Sequence, residues 1–299
     1  MTEAAASQLA LGRDCEEETI DFTLPSARSG KTEAVCDESP DAVWVENPEK
    51  VPSRIPEAVQ DGAPDFPKWK FTDTDLVVFG MPTYAGRIPN KMLPFVEKAF
   101  RGKNTPLAAM VTFGNRNYDS SLTELTSVLE KNGFHTVGAM AEASRHAFSK
   151  ELAEERPDEE DYSKIRSFAS EISDRIEKAE SISDFGPCVI PGRETVKPYY
   201  VPLQEDGAPA KFLKAKPVTD PSRCVRCGVC AGVCPMGAID RENVFETPGT
   251  CIKCQACVRR CTMHAKRFED PAFLSHVRML EKNFTERKAS EAFFAPLKR

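Results

Sequence analysis

Apolar and polar positions follow three different rhythms along this chain, and each predicts its own kind of element. Between 75 and 143 the apolar residues come in unbroken runs: Asp75-Leu76-Val77-Val78-Phe79-Gly80, then Leu107 to Phe113, then His135 to Ala143. Runs without polar alternation predict strands buried on both faces, the habit of parallel sheets. Between and after them the period is helical. Asn90 to Phe100 predicts one helix, and Ser121 to Lys131 another, with Leu122, Leu125 and Leu129 on one face and Asn132-Gly133 closing it. Asp161 to Ala179 predicts a charged helix whose inner face is Ile165, Phe168, Ile172 and Ile176. Strand and helix alternate, so the fold class is α/β with a doubly wound parallel sheet.

The rest of the chain is less regular. Met1 to Leu11 predicts a helix that Thr2 can cap, and Glu17 to Leu24 alternates like a strand. Residues 25–70 are rich in Pro, Asp, Glu, Ser and Gly and read as an irregular insertion, with Ala42–Val45 as a short strand and Pro56–Gln60 as a helical turn. Gly30-Lys31-Thr32 is no phosphate loop, because the upstream glycine and the preceding buried strand are missing. Residues 186–220 carry repeated prolines and form a linker that is expected to wrap the boundary, since Tyr199, Tyr200, Phe212 and Leu213 favour burial. Pro271 to Phe294 predicts a last helix with Phe273, Leu274, Val277 and Leu280 at core spacing.

The chemistry sits between those last two stretches. Cys224-x2-Cys227-x2-Cys230-x3-Cys234-Pro235 is followed by Cys251-x2-Cys254-x2-Cys257-x3-Cys261, so eight of the 11 cysteines lie within 38 residues. Two residues between cysteines let a tight loop turn three sulfurs onto three corners of a small cube. The fourth corner takes a ligand from elsewhere, which in paired runs is the fourth cysteine of the other run. One [4Fe–4S] cluster is therefore expected on Cys224, Cys227, Cys230 and Cys261, and a second on Cys251, Cys254, Cys257 and Cys234. Zinc sites use pairs of cysteines with four ligands per ion, which two runs of four do not follow. Cys15, Cys36 and Cys188 stand outside the runs and read as ordinary free thiols.

Charge narrows the class further. The chain carries a net −6 over 299 residues. Residues 221–268 hold eight Lys and Arg against three acids, a local +5 that leaves −11 elsewhere. Cations there offset negative clusters, and they also suit an acidic redox partner. Without a basic tail, nucleic acid is not expected as a partner. No apolar run is long enough to span a membrane, and the N-terminus has no signal pattern, so the cytoplasm is the expected compartment. Reduced, oxygen-sensitive clusters further imply an anaerobic cell.

Residues 221–268 resemble a bacterial-type two-cluster ferredoxin, down to Pro235, Gly228-Val229-Cys230 and the run Cys234 to Ile239. Thr262 departs from that pattern, standing where the family has proline. Residues 1–185 resemble a flavodoxin-like domain, most sharply in the loops Gly80 to Arg87 and Thr112 to Asp119. In that family these loops flank the isoalloxazine of FMN. The resemblance thus implies Thr83, Tyr84, Ala85 and Gly86 on one side of FMN and Gly114, Asn115, Arg116 and Tyr118 on the other, with Tyr84 or Tyr118 stacking.

The family's first strand and its phosphate-holding turn are absent, since this chain starts in the helix. Three accounts of the gap stand: a start further upstream, a substitute such as Ala42–Val45, or a domain that no longer binds flavin. Taken together, residues 1–185, the linker 186–220, the cluster segment 221–268 and the helix in 269–299 resemble ferredoxins fused to a flavodoxin-like domain. The resemblance implies electron transfer between redox proteins, coupled to FMN. Its alternatives are a flavin-dependent reductase of a small substrate, or a ferredoxin whose other half only docks a partner. No catalytic residue is expected, and oligomeric state is not legible.

Overall fold

A computed structural model describes residues 68–298. The helix over Met1–Leu11, the strand over Glu17–Leu24, the elements at Ala42–Val45 and Pro56–Gln60, the Gly30-Lys31-Thr32 stretch, Cys15 and Cys36 lie outside the described residues. So do the start of the chain and the accounts of the gap in the sheet. The described residues divide into two compact units, one of 68–201 with 280–298 and the other of 202–279.

In the first unit the elements run β1 (Trp69–Lys70), β2 (Val77–Pro82), α1 (Leu93–Ala99), β3 (Phe100–Arg101), β4 (Thr105–Phe113), α2 (Ser121–Lys131), β5 (Phe134–Ala143) and α3 (Glu159–Lys178). Strands β2, β4 and β5 pair in parallel in that order, as the apolar runs predict. Strands β4 and β5 are buried almost throughout. Helix α3 presses Ile165, Phe168, Ala169 and Ile172 onto Ala108, Met110, Val137 and Met140. Burying each large side chain in this set contributes about 1.5–3 kcal/mol. The helix comes closest at Gly138, where a Cβ would stand 2.3 Å from Ile172 Cδ1. Its start is fixed by a reciprocal cap: Asp161 N–H donates to Asp158 Oδ1 at 3.1 Å and Asp158 N–H to Asp161 Oδ2 at 3.1 Å. The turn after α2 needs Gly133, at φ +93° and with the Gly102 carbonyl oxygen 2.1 Å from where a Cβ would lie.

Two expectations are corrected here. The helix expected over Pro271–Phe294 ends at Asn283, and Glu291–Phe294 is a strand, antiparallel to β5. That strand, β8 in chain order, makes the sheet mixed rather than wholly parallel. The reason is the open edge of β5, whose backbone groups need partners. Ala295 N–H donates to Val137 O at 3.0 Å, and Phe294 packs on Phe168 with ring centroids 5.5 Å apart. On the opposite side, β2 has no strand partner beyond β4 among the described residues.

A buried ionic cluster ties α3 to the strands. Arg156 grips Asp161 with two hydrogen bonds, Nε to Oδ2 at 2.8 Å and Nη2 to Oδ1 at 2.5 Å. Glu142, fully buried on β5, has only the edge of this pair, its Oε1 3.7 Å from Arg156 Nη2, and Ser290 beside it offsets its burial only in part. Burial, helped by the charge of Asp161, raises the Glu142 carboxyl from 4.5 to about 7. Between those values the folded chain keeps a proton that the unfolded chain releases. The stability this group contributes is therefore full below the lower value and is lost as pH rises through the upper one. Glu142→Gln, neutral at every pH, is expected to gain stability over the parent chain between about pH 5 and about pH 8, by up to about 3 kcal/mol. Urea unfolding at both pH values reads the difference, and an equal effect at the two would contradict it.

Candidate metal centre

The second unit is built on a repeat. Its elements are β6 (Val218–Thr219), α4 (Val229–Gly232), α5 (Ala256–Arg259), β7 (Lys266–Arg267) and the start of α6 (Pro271–Asn283), with β6 and β7 paired antiparallel. Each cysteine of the first run recurs 27 residues later in the second. The backbone repeats with them. Arg226 and Lys253 are left-handed at φ 55° and 62°, Gly228 and Gln255 at 77° and 67°, and Gly237 and His264 at 57° and 50°. These turns are what bend a short loop tightly enough to present successive sulfurs to one point, and they aim backbone N–H groups at the sulfurs. Arg226 N–H and Lys253 N–H lie 3.4 Å from Cys224 Sγ and Cys251 Sγ, while Ala238 N–H and Ala265 N–H lie 3.2 Å from Cys234 Sγ and Cys261 Sγ. Such donors stabilise negative charge on ligand sulfur.

The fourth cysteine of each run crosses over. One cavity is lined by Cys224, Cys227, Cys230 and Cys261, the other by Cys251, Cys254, Cys257 and Cys234. The two spaces are alike in size, about 360 and about 350 Å³ including their open mouths. Ala231, Ile239 and Val244 form an apolar wall with Cys230 and Cys257. Among the described residues, no three His, Cys, Asp or Glu side chains converge as they would around a single ion. A cube bound through one thiolate per iron takes its sulfurs from around a cavity, which is how each of these quartets is spread. Burial pushes the thiols of Cys254 and Cys257 up to about 11 and about 12, and those of Cys230 and Cys251 upward as well. Iron must therefore displace protons to bind there.

Lys266 is a site residue that the cysteine spacing does not announce. It is 2% exposed, lines the cavity of Cys224, Cys227, Cys230 and Cys261, and donates from Nζ to Val244 O at 2.6 Å. The signal that finds it is the repeat itself, which sets Lys266 opposite Ile239.

The eight residues that the flavodoxin resemblance implies for FMN lie in the first unit. The structure brings their two loops together and covers them with the chain's own segments. Tyr84 and Arg87 close the first loop by paired backbone hydrogen bonds of 2.7 and 3.1 Å, and the Thr83 hydroxyl bonds Ser121 at 2.7 Å. A Cβ on Gly86 would stand 2.2 Å from Asp119 Oδ2, and one on Gly114 2.5 Å from the His146 ring. Ala85 O accepts from Tyr200 N–H at 2.8 Å, and Arg116, bonded to Asp119, lies 4.0 Å over the Tyr200 ring. Asn115 is 2% exposed. Its Nδ2 donates to Phe284 O and Glu286 O at 2.7 and 3.0 Å, and its Oδ1 accepts from Lys288 N–H at 3.1 Å. Tyr118 is also 2% exposed, with Arg193 at 3.9 Å over its ring and its hydroxyl donated to Glu291. Burial raises its phenol above the ordinary value.

Residues 216–269 match the family described as the 4Fe-4S dicluster domain. No curated protein and no solved structure matches the chain. The chain thus contains a ferredoxin-like iron–sulfur domain beside a mixed α/β unit. No helix of the described residues is long and apolar enough to cross a membrane.

Proposed function

We propose that this chain is an electron-transfer protein holding two [4Fe–4S] clusters, one on Cys224, Cys227, Cys230 and Cys261 and the other on Cys251, Cys254, Cys257 and Cys234. The observation that carries the reading is the crossing of the quartets: each cavity is lined by three cysteines of one run and the fourth of the other. A bound cluster supplies a site that gains or loses one electron at a time. The protein's residues do the rest. Backbone N–H groups at Arg226, Ala238, Lys253 and Ala265 hold the ligand sulfurs, and Ile239, Val244 and Phe268 keep water from the interior. Exposed Val225, Val229 and Met263 stand around the mouth beside exposed Cys227, with Arg223 and Arg226 nearby in the chain. An apolar contact with cations beside it suits a redox-protein partner of acidic surface.

Flavin enters no step of this reading. Tyr118 and Asn115 are buried against Arg193, Glu291 and residues 284–288, and the two loops touch at Gly86 and Asp119. A flat ring system would first have to displace Tyr200 from Arg116 and Ala85. The test uses the full chain purified anaerobically, reduced with dithionite and reoxidised with an oxidised viologen dye, with acid extraction for flavin. Reversible bleaching of the visible band without released flavin is expected. One flavin per chain would reinstate FMN, and a band that dithionite leaves unchanged would overturn electron transfer.

A further inference from the structure

The two cavities are related by the repeat, so each position has an internal control 27 residues away. Most charged positions near the cysteines are matched or exposed. Arg226 is mirrored by Lys253, a cation by a cation, and neither is deeply buried. Arg259 and Arg260 have no cationic mates, but both are exposed, where water and salt screen them. Arg267 follows the same offset from Asp240, and it is exposed and paired with Asp220 at 3.3 Å and Glu269 at 2.7 Å.

One unlike pair is buried. Ile239, 3% exposed, lines the cavity of Cys234, Cys251, Cys254 and Cys257. Lys266, at the same place in the second run and 2% exposed, lines the cavity of Cys224, Cys227, Cys230 and Cys261. The lining with Ile239 contains no Lys, Arg, His, Asp or Glu. Lys266 is held in place from both sides: β7 pairs it with Thr219 of β6, and its Nζ donates to the Val244 carbonyl, which also accepts from Thr219 Oγ1 at 3.2 Å.

We propose that Lys266 makes the two clusters unequal, holding the one on Cys224, Cys227, Cys230 and Cys261 at the higher potential, so that the first electron entering the domain rests there. The inference rests on the two-cluster reading above. Reduction adds one negative charge, and a cation fixed in a water-poor wall stabilises it far more than an exposed one does. Ile239 offers no such charge to its neighbour. The electron comes from a low-potential one-electron donor, which is oxidised by one unit, and no covalent bond changes. Direction follows: an electron arriving at the Ile239 side runs downhill to the Lys266 side, whose mouth is the one with Cys227 and Met263 exposed.

The test is a dithionite titration of the full chain followed by electron paramagnetic resonance, with iron and acid-labile sulfide counted in each sample. The parent chain is expected to show two separate midpoints. Lys266→Ile, which copies the other half of the repeat, is expected to move the upper midpoint to more negative potential, shifting the electron's partition about tenfold, or about 59 mV for one electron. Lys266→Arg is expected to keep the gap, and Ile239→Lys to raise the lower midpoint. Should Lys266→Ile lose iron, Ile239→Lys decides alone, and a lower midpoint it leaves unmoved overturns the proposal. An unchanged gap in a fully loaded Lys266→Ile chain overturns this proposal and leaves electron transfer standing. A parent chain without iron and sulfide overturns both.

Discussion

Cys254→Ala is expected to leave about four irons per chain where the two-cluster proposal expects about eight in the parent, with the visible absorbance falling by about half. Cys254 lines one cavity with Cys234, Cys251 and Cys257, and no other cysteine lines that cavity. Removing one thiolate leaves one corner of a cube without a ligand, in a pocket whose walls are mostly apolar. The other cavity draws only Cys261 from the second run, so its quartet survives intact. The control is Cys188→Ala. That thiol packs against the core of the first unit, and burial pushes it up to about 12, away from the thiolate that binds metal. Iron in Cys188→Ala is expected to equal the parent's. A loss of all iron in Cys254→Ala would show that the two quartets do not assemble independently, and no loss would remove Cys254 from the ligand set.

Arg156→Met is expected to destabilise the first unit by about 3–5 kcal/mol, the range for removing one partner from a buried pair. The magnitude follows from what is left behind. Asp161 and Glu142 are both fully buried, and Asp161 takes two hydrogen bonds from Arg156. Arg156 Nη1 also donates to Lys288 O at 2.6 Å, which anchors the segment leading to β8. Without the guanidinium, two carboxyls share a dry space, with the half-exposed Arg287 still 3.1 Å from Asp161 Oδ1. The chain can relieve this by protonating one carboxyl, so the loss is expected to be smaller at about pH 5 than at about pH 8. Urea unfolding at both values measures it. Arg287→Ala serves as comparison: its pairs with Asp158 and Glu160 lie in solvent, and Asp161, which it also touches, keeps both hydrogen bonds from Arg156, so a smaller change is expected. Equal effects of the two substitutions would place the weight of this cluster elsewhere.

Strands β4 and β5 were legible because they are buried on both faces, which leaves the apolar runs Leu107 to Phe113 and His135 to Ala143; the run at β2 was legible as a strand, although only Phe79 and Met81 of it are buried. Helix α2 was legible to the residue, since Leu122, Leu125 and Leu129 keep strict spacing and Gly133 supplies the left-handed close. Strand β8 was not legible. Four residues, Glu291–Phe294, hold too little alternation to be told from the end of a helix, and their strand pairing is decided by the open edge of β5, about 150 positions earlier. The cover over the two loops was hidden for the same reason. Nothing near Tyr118 indicates that Arg193 and Glu291 will enclose it, or that Asn115 will be spent on carbonyls at 284 and 286. A likeness of loops was readable in the residues, while the space between the loops was set by distant ones.

The cysteine runs are the opposite case, since spacing alone groups the eight sulfurs into the same two sets that line the two cavities. Lys266 escaped because it lies beyond the last cysteine and looks like one more surface cation. Only the register between β6 and β7 and the match to Ile239 turn it inward.

The most direct measurement is iron and acid-labile sulfide per chain, on full-length protein purified without oxygen, with electron paramagnetic resonance of the dithionite-reduced sample. About eight irons and about eight sulfides, with signals from two interacting one-electron centres, are the result expected of two cubes on the crossed quartets. Zinc in place of iron, or iron without labile sulfide, would contradict the account at its base.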